Sequence, residues 1–341
     1  MRHVCRINTA AVLAALFAAV LCCSCRRRPL EVMGGNVRIE LNNDYTLPYS
    51  PSAQKPYHYS VLMFDPESGE MVWDDFCDEP GGQIRAVPGR FMPFVYSLGS
   101  VNTRIEGRES AATLRALSTA ESVRNKTIFQ ASQKAFRTKA GEDGIFLSPS
   151  LGSVGYEETN VIREPDPIFG GRGEDVDIPV MALSDPDVVA EIGTGFLLSQ
   201  SRLTLYGFKH TEYIASVQVF ITNLAGSKYL VSGESVQEPA TIDFMLDEIS
   251  SERIRGEFNH FGELEDKTLS NTAYIVVTDT SGGKYLFVED VTSQIREGGE
   301  SADIELEIDY DMPKPKEGGA GFVPVLDEWG TVIYDISLGL S

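Results

Sequence analysis

The chain has 341 residues, room for about two domains of roughly 150 residues each. Its 42% hydrophobic and 23% charged residues suit a globular protein with a real core, and exclude a wholly disordered chain, a collagen or a coiled coil. Lys and Arg number 29 against 50 Asp and Glu, so a net charge of -21 repels phosphate backbones and makes nucleic acid an unexpected partner.

The chain opens with an address. Arg2, His3 and Arg6 form a short positive start, and Ala10 to Leu21 is an unbroken apolar run of 12 residues. A bilayer span needs about 20, so residues 1–24 read as a secretory signal peptide. Ser24 then precedes Cys25, after Leu21-Cys22-Cys23. A small residue before Cys at that point resembles the bacterial lipobox, in which the thiol is diacylated and the Cys becomes the new N-terminus. Cys22 stands where Leu is usual. Cys25 is the lipid-attachment candidate and residues 25–35 its linker; Cys23 fits less well, and an ordinary secreted protein cut nearby is the competing reading.

Loss of the leader removes Arg2, Arg6 and no acid, so the mature chain is more acidic still. Cys5, Cys22 and Cys23 leave with it, Cys25 is acylated, and Cys77 remains. One thiol cannot form an internal disulfide, so the fold must stand on its core. Cys77 lies within Asp74-Asp75-Phe76-Cys77-Asp78-Glu79. Carboxylates raise a thiol pKa, so Cys77 is expected as a half-buried structural residue and not a nucleophile.

Period-two alternation then recurs along the chain. Val37, Ile39 and Leu41 alternate with polar residues, and Tyr57, Tyr59, Val61 and Met63 form the next period-two set. Asp65 to Gly69 supplies a turn before Met71-Val72-Trp73, and Pro88-Gly89 divides two apolar runs between Ile84 and Tyr96. Ser110 to Ala135 is the one expected helical region, with Leu114, Leu117, Ala120 and Val123 on one face. Gly141 to Gly173 reads as a long irregular loop and Val176 to Leu183 as a strand. Residues 184–195, with Asp185-Pro186-Asp187 and Gly193, mark the expected boundary between domains at 36–185 and 190–341.

The second half is cleaner. Leu203 and Leu205 open it. Ala215, Val217, Val219 and Ile221 run into Asn223-Leu224-Ala225-Gly226, expected as a turn. Tyr229 to Val231, then Ile242, Phe244 and Leu246, then Ile254, Gly256 and Phe258 follow. Tyr274 to Val277 and Tyr285 to Val288 flank Thr280-Ser281-Gly282-Gly283, a hairpin signal. Ile304, Leu306 and Ile308 alternate with acids. Val332, Tyr334, Ile336 and Leu338 form the last strand pattern. Many short strands with regular turns predict an all-β protein built of β-sandwiches, with at most one or two short helices.

Chemistry-bearing motifs are absent from the sequence. Beyond the leader and Cys25 it has no Gly-x-Ser-x-Gly elbow, His-Glu-x-x-His, Cys-x-x-Cys, Walker loop or dinucleotide fingerprint. No catalytic residue, cofactor or metal ligand is assigned. Gly318-Gly319-Ala320-Gly321 follows Pro313 and Pro315 and reads as a flexible turn. The carboxylates from Asp303 to Asp311 fall at alternate positions and are expected on one solvated face. Glu174-Asp175-Val176-Asp177 offers oxygens to Ca²⁺ but lacks the glycine and distal Glu of a known loop. His58, His210 and His260 are far apart and are expected as strand or loop residues.

Several short segments, in their order, resemble the fimbrillin-related lipoproteins of Bacteroidetes, in particular the group near the fimbrium anchor subunits. They are Gly82-Gln83-Ile84 with Pro88-Gly89-Arg90-Phe91; Val217 to Leu224 with Ser232-Gly233-Glu234; Phe261-Gly262; Asp290-Val291-Thr292 with Gln294-Ile295; and Gly321-Phe322 with Asp327-Glu328-Trp329. With the lipobox they span nearly the whole chain. The resemblance implies two tandem transthyretin-like β-sandwich domains and a palmitate-bearing lipoprotein on the outer membrane, facing outward. It implies a fimbrial anchor or accessory subunit in pilus assembly or adhesion, joined to other fimbrial subunits by β-strand exchange. Val332, Tyr334, Ile336 and Leu338 are the candidate donor or edge strand. Major pilins of this type are cut by an Arg-specific protease, for which Arg38 is a conceivable site; anchor subunits need no such cut. A surface glycan-binding lipoprotein of a polysaccharide-uptake system is the alternative. Trp73 and Trp329, the only tryptophans, argue mildly against its stacking platform.

Overall fold

Alternation along the first strands builds a curled wall. In β1 (Gly35–Asn43), β2 (His58–Phe64), β3 (Met71–Asp78), β4 (Gly81–Ala86) and β5 (Gly89–Ser97), successive side chains fall on opposite faces. Val37, Ile39, Leu41, Tyr59, Val61, Met63, Ile84 and Val95 meet in one buried cluster. The structure is a computed structural model that describes residues 35–50, 55–118, 145–147, 160–179 and 188–315. The leader, Cys25, the glycine-rich stretch at 318–321, Trp329 and the Val332–Leu338 pattern lie outside the described residues.

Shorter strands follow: β6 (Thr103–Glu106), β7 (Arg115–Ser118), β8 (Ile145–Leu147), β9 (Asn160–Arg163), β10 (Phe169–Arg172) and β11 (Val176–Ile178). The longer second set is β12 (Val188–Phe196), β13 (Ser199–Lys209), β14 (Ile214–Ala225), β15 (Ser227–Tyr229), β16 (Pro239–Leu246), β17 (Glu248–Ile249), β18 (Ile254–His260), β19 (Thr272–Asp279), β20 (Lys284–Asp290) and β21 (Asp303–Asp311). Among the described residues α1 (Thr292–Gly298) is the one α-helix. The all-β expectation holds.

The first sheet runs β10-β12-β1-β4-β3-β2-β5-β11, and β10 also pairs with β5, which closes the wall into a barrel. β1 lies between β4, antiparallel, and β12, parallel. Closure depends on glycine. A Cβ on Gly171 would collide with the Gly193 carbonyl oxygen, and one on Gly170 with that of Val95. Gly171→Ala is therefore expected to cost about 1–3 kcal/mol by overpacking. A urea midpoint unchanged from wild type would refute the close approach.

Two further sheets face each other. One runs β17-β18-β13-β21, the other β8-β20-β19-β14-β16-β9. Leu203, Leu205, Ile254, Phe258 and Ile304 from the first meet Val217, Val219, Ile242, Phe244, Ile275 and Phe287 from the second. Phe244 and Phe258 stack across the gap with centroids 4.2 Å apart. The short edge strands β8 and β9 come from earlier in the chain and cover both margins of the larger sheet. Leu62 and Phe64 of β2 and Phe94 and Tyr96 of β5 also enter this core, from the outer face of the barrel. β2 and β5 are thus buried on both faces.

Several expectations change. Ser110–Ser118 is not helical: a turn leads through Leu114 into β7, and Leu114 and Ala116 are both fully buried at strand spacing. Pairing with β6 and β15 overrides the weak three-residue spacing; residues 119–135 lie outside the description. The 141–173 loop contains β8, β9 and β10. The 176–183 strand is described over Val176–Ile178. Asn223 to Ala225 is no turn but the end of β14, whose register with β16 shifts at a bulge between Ile221 and Leu224, with Asn223 at φ 59. Of the stretch 184–195, the residues from Val188 onward lie in β12, which pairs in the barrel wall, while β8 and β9 pair in the sandwich. The Thr280–Gly283 hairpin forms as expected, with Asp279 Oδ1 accepting the Ser281 and Gly283 N–H groups at 2.8 Å each.

Candidate functional site

Glu164-Pro165-Asp166-Pro167 follows β9 directly and leads through Ile168 into β10. β9 belongs to the sandwich and β10 to the barrel, so these residues are a strap between them. Its two prolines lack N–H groups and hold the preceding residues extended, so the strap crosses without needing a sheet partner. On the sandwich side Glu164 N–H donates to the Asp243 carbonyl at 3.0 Å. Asn259 N–H donates to Glu164 Oε1 at 2.9 Å, and Asn259 Nδ2 to the Pro165 carbonyl at 3.1 Å. On the barrel side Asp166 Oδ2 accepts the Val101 and Asn102 N–H groups, both at 2.6 Å. Leu197 N–H donates to the Ile168 carbonyl at 2.9 Å.

Beside the strap lies a cleft of about 840 Å³. Glu164, Asp166, Asp243, Asp247 and Glu257 line it, with Arg163 and Lys284 as its cations. Glu164 is largely withdrawn from water, and this desolvation pushes its carboxyl up to about 7. The Asn259 N–H opposes that rise; Asp166, Asp247 and Asp243 reinforce it. Gln218 Nε2 is spent on Asp243 Oδ1 at 2.7 Å, and Gln200 Nε2 on Asn259 Oδ1 at 3.3 Å. Met245 is the exposed apolar residue of the cleft, whereas the Phe244 ring is buried.

Ser201 and His260 form the other chemically suggestive pair. Ser201 Oγ and His260 Nε2 are 2.9 Å apart. Gly262 N–H donates to His260 Nδ1 at 3.1 Å, so that nitrogen holds no proton. Burial, then the charge of Lys228, pushes the imidazole down to about 3, so the ring is neutral. Nε2 therefore carries the hydrogen and donates it to Ser201 Oγ, which also accepts Ala302 N–H at 3.1 Å. A base that donates to the hydroxyl does not activate it; the pair ties β13 to β18 and to the start of β21.

The other candidate residues are dispersed. Cys77 is more buried than expected, inside the barrel, and its thiol is pushed up to about 11 by desolvation first, then by Asp78 and Asp75. Asp303 to Asp311 present their carboxylates outward from β21 while Ile304, Leu306 and Ile308 enter the core, as the alternation predicts. Acids there are engaged: Asp303 with Arg202, Glu305 with Tyr206, Asp309 with Lys209, and Asp311 with His210. Asp175 pairs with Arg90 and Arg172. Among the described residues no group of three or more His, Cys, Asp or Glu is arranged to hold a metal ion. His58 bonds Asp78 at 2.6 Å and His210 bonds Glu212 at 3.0 Å, both at the surface. Arg38 points to solvent, but its backbone lies in β1 with a paired strand on either side. Cys25, Val332, Tyr334, Ile336 and Leu338 lie outside the described residues. No helix of the described residues is long and apolar enough to cross a membrane.

The strap was missed in the sequence because it falls inside the expected 141–173 loop. The alternating prolines at 165 and 167 are the signal that could have found it. The acids that surround Glu164 could not have been found, since Asp243 and Asp247 stand far along the chain.

No protein-family model matches the chain, and no curated protein matches it. Solved structures do. A candidate adhesin from Bacteroides ovatus ATCC 8483 is 18% identical, with 86% of this chain covered, 98% of that one, and a TM-score of 0.52. The fimbrial anchor protein Mfa2 from Porphyromonas gingivalis is 12% identical over 80% of this chain and 90% of that one, with a TM-score of 0.45. A candidate polysaccharide-binding protein from Bacteroides thetaiotaomicron VPI-5482 is 9% identical over 80% and 90%, with a TM-score of 0.44. The similarity to the Bacteroides ovatus protein is one of fold.

Proposed function

We propose that the chain is a non-catalytic lipoprotein of the outer-membrane surface, tethered through Cys25, that serves as a fimbrial anchor or accessory subunit and meets its neighbour by β-strand exchange. The observation that carries this reading is the place of β1. It fills the lane between β4, paired over Gly35–Glu40, and β12, paired over Val37–Asn43, and sends Val37, Ile39 and Leu41 into the barrel. A subunit that must receive a strand in that lane has to lose its own first. A protease needs an extended, unpaired chain, and the peptide bonds flanking Arg38 are held in the sheet. A barrel completed by its own strand suits a subunit that ends or anchors a fibre. The shared fold with a candidate adhesin agrees with a surface role.

The donor half of the exchange is assigned to Val332, Tyr334, Ile336 and Leu338. Main-chain bonds would supply affinity and alternate side chains would fill pockets in the acceptor. Deletion of Thr331 to Ser341 is expected to leave circular dichroism and Tm unchanged while co-isolation with the pilus fraction falls to background. A truncate that unfolds would place the strand in this chain's own sandwich. One that folds and still assembles fully would remove it from the exchange. The glycan-binding alternative draws on the polar cleft, whose exposed apolar residue is Met245 and not a ring suited to sugar stacking.

A further inference from the structure

We propose that one end of the barrel carries a saccharide pocket, built on the exposed ring of Tyr57 and the anchored carboxylate of Asp166, that takes one pyranose of a neutral glycan. This goes beyond the fimbrial reading and does not rest on it. The pocket has a volume of about 430 Å³, within the usual range for a small-ligand site. Three pieces of chain form it: residues 55–58 entering β2, residues 97–101 leaving β5, and the strap with the start of β10. Phe169 is its buried apolar residue, fixed edge-on against Tyr45 with centroids 5.4 Å apart. The other apolar side chains are open to water: Tyr57 is 75% exposed and Val101 80%, and Leu98 joins them. Scattered apolar residues at a surface need no explanation, but three gathered at one concavity, one of them an aromatic ring, mark a binding surface.

The polar groups are the second, independent observation. Asp166 Oδ2 accepts the Val101 and Asn102 N–H groups at 2.6 Å each, while Oδ1 has a long contact of 3.5 Å from Asn102 Nδ2. One oxygen thus fixes the carboxylate and the other is offered as an acceptor. His58 Nδ1 lies 2.6 Å from Asp78 Oδ1. A carboxylate only accepts, so Nδ1 carries the hydrogen and the neutral ring keeps Nε2 as a second acceptor. Lys55, whose Nζ sits 5.4 Å from the Tyr45 ring centroid, and the Ser100 hydroxyl are the donors. A pyranose matches this set. One of its faces is made of C–H groups that stack on an aromatic ring, and its rim is hydroxyls that each donate and accept. Lys55 and Asp166 oppose each other in sign, so the pocket favours neither an acidic nor a basic sugar. The larger cleft across the strap shares Asp166 but has no exposed ring.

The intact protein on an array of immobilised neutral glycans, spanning gluco, galacto, manno and N-acetylhexosamine residues, tests this. At least one glycan is expected to retain it, and saturation-transfer NMR with the methyl glycoside of the retained sugar should mark the C–H groups of one ring face. Tyr57→Leu keeps an apolar side chain and loses the flat ring; its affinity is expected to fall on the order of tenfold. Tyr57→Phe keeps the ring and is expected to bind like wild type. His58→Ala removes an acceptor at the surface and is expected to weaken binding without moving the circular dichroism spectrum. Met245→Ala, in the larger cleft, is expected to change nothing. Retention of no neutral glycan above the uncoated surface would overturn the pocket. So would equal binding by Tyr57→Leu and wild type, or loss of binding in Met245→Ala alone. If no glycan binds and Tyr57→Leu instead loses co-isolation with the pilus fraction, the patch is a protein contact and the saccharide assignment falls.

Discussion

Protein carrying Cys25→Ser is expected to lose all incorporated palmitate and to move from the membrane pellet to the soluble fraction. The hydroxyl cannot replace the thiol in the acylation step, so the chain keeps no grease. The size of the effect follows from what else could hold it. Each acyl CH₂ contributes about 0.8 kcal/mol on burial, and one chain alone binds only marginally, so stable tethering needs two. Arg26, Arg27 and Arg28 follow the anchor directly, and basic residues contribute about 1 kcal/mol each at an anionic surface. That cannot replace two acyl chains, and the remaining chain is strongly acidic. Cys23→Ser is expected to label normally. Continued labelling of Cys25→Ser, with loss in Cys23→Ser, would move the attachment point two residues upstream.

Ile39→Asp is expected to abolish the cooperative fold, and not of the barrel alone. Ile39 is buried at the centre of β1, opposite Ala190 of β12 and Gly82 of β4. An unpaired carboxylate there costs on the order of 4–5 kcal/mol or more, against a total stability of about 5–15 kcal/mol. The loss should spread because β2 and β5 serve two cores. Val61 and Val95 face the barrel interior, while Leu62 and Phe94 face the sandwich. Arg38→Glu, on the same strand but pointing to water, is expected to stay within about 0.5 kcal/mol of wild type. Scanning calorimetry of the wild-type protein should show one transition. Two separate transitions, with Ile39→Asp erasing just one, would refute the shared core.

Strand identity was legible wherever a strand is long and half-buried. Val37, Ile39 and Leu41, and later Ile304, Leu306 and Ile308, alternate with polar residues because a pleat turns each side chain to the opposite face. The Thr280–Gly283 hairpin was legible for a similar reason: turn chemistry acts over four residues. Short strands were not. β9 and β10 look like loop because Pro and Gly surround them, and they are strands through the edges of β16, β12 and β5 that receive them. Leu114 and Leu117 suggested a helix, while the buried positions are Leu114 and Ala116. The bulge at Asn223 looked like a turn because both need a residue that tolerates positive φ.

Local chemistry thus settled the β class, the solvated acidic face of β21 and the structural character of Cys77. It did so because pleat period, turn preference and charge act between near neighbours. Which strand lies beside which, the parallel pairing of β1 with β12, the core shared across β2 and β5, and the raised carboxyl of Glu164 came from the folded arrangement. Each depends on groups far apart in the chain, where loop closure and desolvation, neither of which has a sequence period, decide the outcome.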